Sequence, residues 1–173
     1  MKDLKNQKTS RETLWALEFE EKILEIKRVT KIVKGGRNMT YRATVVVGDK
    51  TSRVGLGVGR AEDVNLAIQK AVSNAKKNII CIILTKNSSI PHSICKKYET
   101  SKIILIPAKK GTGVIAGGPL KAVLELAGVR NIVAKQLGSR NILNNAKAII
   151  EALIQIKNDI SNSIELLNKN NIF

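Results

Sequence analysis

The sequence predicts an α+β protein built from two consecutive units, β-β-β-α and then β-β-α-β-α. Two observations carry this. Short β-branched stretches with period-two alternation are interspersed with apolar stripes at 3.6-residue spacing, and Gly, Pro, Asn and Asp fall at the joins. A third observation sets the chemistry. The 173 residues include 30 Lys or Arg against 14 Asp or Glu, a formal net charge of +16, on a chain that is 43% apolar and so able to bury a core.

Residues 1–17 read as a polar arm, with Trp15 and Phe19 in a lead-in among acidic residues. Residues 23–33, ILEIKRVTKIV, carry the first strand signal. Lys34-Gly35-Gly36-Arg37-Asn38 is a turn with basic ends, and residues 40–47 form the second strand, with Tyr41, Ala43, Val45 and Val47 on one face. After Gly48-Asp49-Lys50, residues 52–59 make a third strand in which Val54, Leu56 and Val58 alternate with Gly55, Gly57 and Gly59. Glycines on one strand face invite close approach of another backbone, which here is either a helix or RNA. Residues 62–77 show a helical stripe of Val64, Ile68, Ala71, Val72 and Ala75. Glu62 and Asp63 are placed in its first turn and Lys76 and Lys77 in its last, as the helix dipole favours.

Residues 78–85 read as a buried strand with Cys81 in the core, and 86–93, with Pro91, as a linker. Residues 94–98 and 102–107 are strands about Glu99-Thr100-Ser101. A glycine-rich segment then leads to Pro119, suited to a first helical position, and to a helix burying Leu120, Val123, Leu124 and Ala127 before Gly128. Residues 131–136 form a strand. Asn141 caps a helix over 142–157 that buries Leu143, Ala146, Ile149, Ile150, Leu153 and Ile154. The Asn-rich tail 158–173 is expected to fray. The domains are therefore 18–85 and 94–157.

Several function classes drop out. The longest apolar run, Ile79–Leu84, is far short of a membrane span, and no amphipathic helix carries a basic face against a Trp/Phe/Leu face. Two cysteines and one histidine, His92, offer neither a disulfide framework, a metal site nor a His-centred triad. No paired carboxylates sit in glycine-flanked loops, so acid–base catalysis has no candidate site. A small-molecule substrate, a cofactor and a membrane partner are not expected. Gly55-x-Gly57-x-Gly59 resembles a dinucleotide fingerprint but fails where Arg60 stands in place of its third glycine, and Gly111–Gly118 lacks the Gly-Lys-Ser/Thr of a phosphate loop.

The positive charge is not in a tail. Residues 26–60 carry +8 and residues 70–110 another +8, both within folded, glycine-punctuated segments. A polyanion is the indicated partner. Aromatics are only 3%, which argues against stacking single-strand bases and for structured RNA held by its backbone. The candidate phosphate contacts are Lys31, Lys34, Arg37, Arg42 and Arg53, with Gly35 and Gly36 moulding to the backbone between them. A second set is Lys109, Lys110 and Arg140, the lysine pair preceding a glycine loop that enters a helix. The competing readings are a glycine-loop nucleotide enzyme and a free-standing RNA binder or chaperone.

Two runs, RVTKIVKGGRNMTYRATVVVGDKTSRVGLGVGRAEDVNLAIQKAVSNAKKN and PAKKGTGVIAGGPLKAVLELAGVRNIVAKQLGSRN, resemble the two signatures of the fifth small-subunit ribosomal protein family, in order and well spaced. The resemblance spans roughly residues 18–157. It implies a double-stranded-RNA-binding-like first domain and a second of the ribosomal domain-two-like type. It also implies a non-enzymatic role in the small ribosomal subunit: binding small-subunit rRNA, touching the fourth and eighth small-subunit proteins and mRNA where it enters, and supporting decoding accuracy. By position, Lys34, Gly35, Gly36 and Arg37 would form the rRNA-contacting loop. Gly111, Gly113, Gly117 and Gly118 would lie near the contact with the fourth protein. The family loop usually reads Gly-Ser-x-Asn-Pro, and here Ile142 replaces the proline. The type looks bacterial or organellar. Ile, Lys and Asn abound while Arg numbers only eight, an AT-rich codon bias typical of plastid genomes, and the N-terminus resembles no transit peptide. A plastid stromal location, on the ribosome, is expected; the bacterial cytoplasm is the alternative.

Overall fold

The computed structural model describes residues 19–170, with side chains over 19–162; the predicted arm 1–17, including Trp15, and residues 171–173 lie outside the described residues. β1 (Glu20–Val33), β2 (Gly36–Gly48) and β3 (Arg53–Ala61) form an antiparallel meander, α1 (Val64–Lys77) follows, and β4 (Ile79–Cys81) returns to the edge of β3. β1 starts three residues earlier than the apolar pattern suggested, because Glu20 and Glu21 already pair with Gly48 and Val47. A bulge at Leu24 turns that side chain toward the larger of two apolar clusters.

β2 is buried along residues 43–48, on both faces. Ala43, Val45 and Val47 meet Ala67, Ala71, Val72 and Ala75 of α1, the face the alternation predicts, while Val46 points to the opposite cluster. The glycine question is settled in favour of the helix. A Cβ at Gly55, Gly57 or Gly59 would fall on the backbone carbonyl of Ala75, Ala71 or Ala67 respectively. The three glycines and the three alanines thus bring strand and helix backbones into contact. Ala67 belongs to the helix's buried stripe, whereas Val64 and Ile68 are half-buried. Glu62 and Asp63 precede the helix: Asp63 occupies the N-cap, and its first turn has no acidic residue.

The segment after α1 is strand only over Ile79–Cys81, and Cys81 is exposed rather than core. β3 faces β4 only through Arg53–Gly55, so the ladder ends after three pairs. Within the predicted linker, His92 Nε2 lies 3.4 Å from Asp159 Oδ2 on the last helix.

The second sheet has the order β5-β6-β8-β7, formed by β5 (Ile94–Tyr98), β6 (Ser101–Pro107), β7 (Val114–Ile115) and β8 (Ile132–Gly138). β7 adds a two-residue strand parallel to β8 inside the glycine-rich segment, which the sequence reading treats as loop. Two residues give no periodicity to read. α2 (Gly118–Leu126) has Pro119 as its second residue, one past the expected first position, and buries the expected Leu120, Val123, Leu124 and, just past its end, Ala127. Gly128 then takes φ +83°, a left-handed conformation that suits a helix end.

α3 (Ile142–Asn170) runs 29 residues, far beyond the predicted stop at 157. Its buried residues are Asn145, Ala146, Ala148, Ile149, Ala152, Leu153 and Ile156; Leu143 and Ile150 are half-buried and Ile154 is exposed. The helix has more isoleucines than one face can cover, so apolar identity alone does not select the face. Asn141 caps it as predicted, its Oδ1 accepting from the Leu143 N–H at 3.2 Å. Position 142 is therefore the first helical residue, where proline costs no intrahelical bond. This explains why isoleucine and proline can both stand there. Ile142→Pro is expected to leave the fold unchanged and raise stability by about 0.4–1 kcal/mol through the unfolded chain. Thermal melting checks this, and a clear fall in Tm would contradict the cap assignment.

The two units are not beads on a string. Val46 and Val54 of the first sheet belong to the same apolar cluster as Ile82, Leu124, Leu126, Ile149 and Leu153. The end of α2 sits on the β2–β3 turn, where the Lys50 N–H donates to the Leu126 carbonyl at 2.9 Å. Any Cβ at Gly48 or Gly128 would collide with the backbone at this junction. Lys22 Nζ and Glu125 Oε2, 3.2 Å apart, close the rim. The first sheet is thus sandwiched between α1 and the C-terminal unit.

Candidate nucleic-acid interface

β2 pairs with β3 no further out than Tyr41, opposite Ala61. Beyond that point β1 and β2 continue alone as a ribbon, Val29–Val33 against Gly36–Thr40, closed by Lys34 and Gly35. Gly35 has φ +94°, and the space around Gly35 and Gly36 is open. The tip is therefore a tight turn, with nothing among the described residues covering it. Between Ile26 and Gly48 the sequence holds six basic residues and no acidic one. Ile32, 77% exposed, stands beside Arg37 as its cross-strand partner.

The register sorts the cations by face. Arg28, Ile32 and Arg37 share the side of the ribbon on which Tyr41 and Ala43 face α1. Lys27, Lys31 and Arg42 lie on the opposite side. Arg42 is directly opposite Lys27 on one flank and Arg60 on the other, so three cations stand in a row across three strands. Lys27 pairs with Glu25 at 3.0 Å. Arg60 Nε donates to Thr40 Oγ1 at 2.8 Å, and that hydroxyl donates to the Val29 carbonyl at 3.3 Å.

The predicted residues thus divide. Lys31, Lys34, Gly35, Gly36 and Arg37 come together on the projecting ribbon, and Arg42 sits at its base. Arg53 does not join them. Its Nε donates to Asp49 Oδ2 at 2.6 Å, and its guanidinium lies 5.0 Å from the Phe19 ring centre. Asp49 also accepts from the N–H groups of Thr51, Ser52 and Arg53 at 2.9, 3.1 and 2.9 Å. Burial alone would raise this carboxyl, but the hydrogen bonds from Thr51 and Arg53 together outweigh it and hold it well below the usual carboxylate range. Arg53 is therefore part of a turn that holds β2 to β3, and its side chain is occupied.

Lys109 and Lys110 are exposed, as expected, but do not precede a helix directly, because β7 and Ala116–Gly117 intervene before Gly118. Their loop is held by a residue that the composition gives no reason to single out. Asn131, 6% exposed, accepts with Oδ1 from the N–H groups of Gly111 (2.9 Å) and Gly113 (3.3 Å), and its Nδ2 donates to the Asn87 carbonyl at 2.8 Å. Gly111 and Gly113 take φ +95° and +77° in that loop. Gly117 packs near the Gln136 side chain, and Gly118 opens α2 with free space around it. Arg140 is exposed in the turn before α3. Lys27 and Arg60 are candidate interface residues with no signal in the local sequence. Their signal is the position of the two turns, since a hairpin closed at Lys34-Gly35 sets Lys27 opposite Arg42, and one closed at the Asp49 turn sets Arg60 there too.

Comparison with known proteins fits this geometry. Residues 19–82 match the family model "Ribosomal protein S5, N-terminal domain", and residues 96–161 match "Ribosomal protein S5, C-terminal domain". The chain is 50% identical over 141 residues to "Small ribosomal subunit protein uS5c" of Emiliania huxleyi, covering 82% of this chain and 89% of that one. It is 48% identical over 152 residues to the protein of that name from Rhodomonas salina, covering 88% of each. It is 52% identical over 149 residues to "Small ribosomal subunit protein uS5" of Synechocystis sp., covering 86% of each. With both domain models matched in order and half the residues identical over most of its length, the chain belongs to the ribosomal protein S5 family.

Proposed function

We propose that this protein is a non-enzymatic constituent of the small ribosomal subunit that grips small-subunit rRNA through backbone phosphates. The observation that carries this reading is the ribbon Val29–Thr40, which projects past the sheet with Lys31, Lys34 and Arg37 and no acidic residue. Its open glycine turn lets phosphates approach the backbone amides, and its flanking cations supply the charge. Lys109, Lys110 and Arg140, on the second unit, supply contacts to a separate stretch of RNA. Because the two units share a core, the chain can brace the two stretches against each other. Arg53 is left out of the proposed contacts, since Asp49 occupies it.

Family membership supports the remaining parts of the reading: contacts with the fourth and eighth small-subunit proteins, the former near Gly111–Gly118, a position where mRNA enters, and a contribution to decoding accuracy. Relatives from algae and cyanobacteria support a plastid-type ribosome in the stroma, with a bacterial cytoplasmic ribosome as the alternative.

Lys34→Ala with Arg37→Ala tests the ribbon. Each lost phosphate contact should lower the log–log salt slope of rRNA binding by about 0.7–0.9, so the pair should lose about 1.4–1.8. An unchanged affinity and slope would show that the ribbon does not touch RNA. Sucrose-gradient sedimentation at moderate salt tests assembly: the protein should travel with small subunits, whereas a free-standing RNA chaperone would stay near the top.

A further inference from the structure

β3 has an uncovered edge. β4 pairs only with Arg53–Gly55, leaving Leu56–Ala61 without a second neighbour strand among the described residues. Beside that edge runs the outward face of α1, and between them lies an open cleft of about 580 Å³. Its walls include Arg60, Lys70 and Lys77 together with Gln69, Ser73 and Asn74, and among the described residues no carboxylate lines it. We propose that this cleft is a second backbone-phosphate site for RNA, joined around the β3 edge at Arg60 to the row Arg60, Arg42 and Lys27 on the other face of the sheet. The proposal rests on the RNA-binding reading above and adds a surface to it.

Three features argue for this occupant. The first is like-charge crowding. Cations directly opposite one another across strands repel. Among the described residues only Lys27 of the row has a carboxylate, Glu25, while Arg60 Nε bonds the neutral Thr40. A bound anion would relieve that repulsion. The second is the local absence of acids. Glu62 and Asp63 lie before the helix, and Glu21 is taken by Lys76 at 3.3 Å, outside the cleft walls. The third is the kind of donor present. Three cations, two amides and a hydroxyl are what phosphate and ribose oxygens accept from, and they carry no base-reading geometry. Asn74 is already turned inward, its Nδ2 donating to the Val58 carbonyl at 2.9 Å on the strand edge. This keeps that carbonyl from facing an anion.

The other conceivable occupant is an acidic peptide added as a strand on the β3 edge. The experiment separates the two. The full chain carrying Arg60→Gln, Lys70→Gln and Lys77→Gln is titrated with a duplex-containing small-subunit rRNA transcript across a salt series, beside the Lys34→Ala/Arg37→Ala variant. A second variant, Lys70→Gln/Lys77→Gln, leaves the Arg60–Thr40 bond intact in case its loss disturbs the ribbon. The triple variant should lower the slope by about 2.1–2.7 and the double by about 1.4–1.8, each additive with the ribbon variant. A slope unchanged by the cleft variants but reduced by the ribbon variant would overturn the cleft and leave the ribbon reading standing. Slopes unchanged by both would overturn the ribbon reading too. Retention of the full rRNA slope by the cleft variants, with loss of binding to a polyglutamate peptide, would assign the cleft to an acidic partner instead.

Discussion

Gly57→Val prevents the N-terminal unit from folding. A side chain at residue 57 would start on the Ala71 carbonyl oxygen, with Ala75 backbone atoms also well inside van der Waals contact. Those neighbours are helix backbone, so no rotamer change clears the clash. The helix would have to lift off the sheet and uncover Ala43, Val45 and Val47, which are fully buried beneath it. Ordinary overpacking costs about 1–3 kcal/mol. A clash with backbone that also opens the core belongs among the exceptional substitutions above about 4 kcal/mol. A domain of this size has about 5–15 kcal/mol in all. The expected outcome is loss of the cooperative thermal transition, or a Tm lowered by well over ten degrees, in circular-dichroism melts. Gly36→Ala is the control, because a Cβ there meets open space. It should melt like the parent. A Gly57→Val protein that also melted like the parent would mean that α1 does not pack on β3 as described.

Asp49→Ala is the second large effect. The carboxylate accepts from three backbone N–H groups and from the Arg53 guanidinium, and its side chain is only 3% exposed. Alanine leaves those donors without their acceptor, at a cost of about 2–3 kcal/mol. The turn also holds Lys50 at φ 58°, from which its N–H reaches Leu126, so loosening it weakens the seat of α2 as well. The pH dependence has a definite sign. A carboxyl whose folded-state pKa is depressed contributes stability that is present above its unfolded value, about 3.9, and lost as pH falls toward the folded value. The parent should therefore lose stability progressively below about pH 4. Asp49→Asn should be less stable at neutral pH and show a flatter acid limb in denaturant titrations. An equally steep limb in the variant would assign the acid sensitivity to other carboxylates.

The legible parts of this molecule are those that depend on local pattern. Alternation gave β2 its helix-facing side, Asn141 and Pro119 marked helix starts, and Gly128 marked a helix end. The less legible parts depend on what covers a residue. Ile154 and Cys81 are apolar but exposed, since nothing among the described residues packs over them. β7 is too short to carry a period, and Asn131 acts through partners some 20 and 44 residues away in sequence. The candidate site divides the same way. The Lys34–Arg37 turn is visible as a string of residues. The Lys27–Arg42–Arg60 row exists only once two hairpins set their registers, and Arg53 looks like its neighbours until Asp49 is found beside it.

By itself, then, the sequence determined an α+β chain with two basic, glycine-punctuated blocks, and through its two signatures the family. Those properties follow from side-chain type and spacing, which folding does not alter. Only the tertiary structure decided what meets Gly55, Gly57 and Gly59, which faces of α3 are buried, and which cations remain exposed. A glycine records that something approaches but not what, and a positive charge is available to RNA only if no carboxylate of the same chain reaches it first.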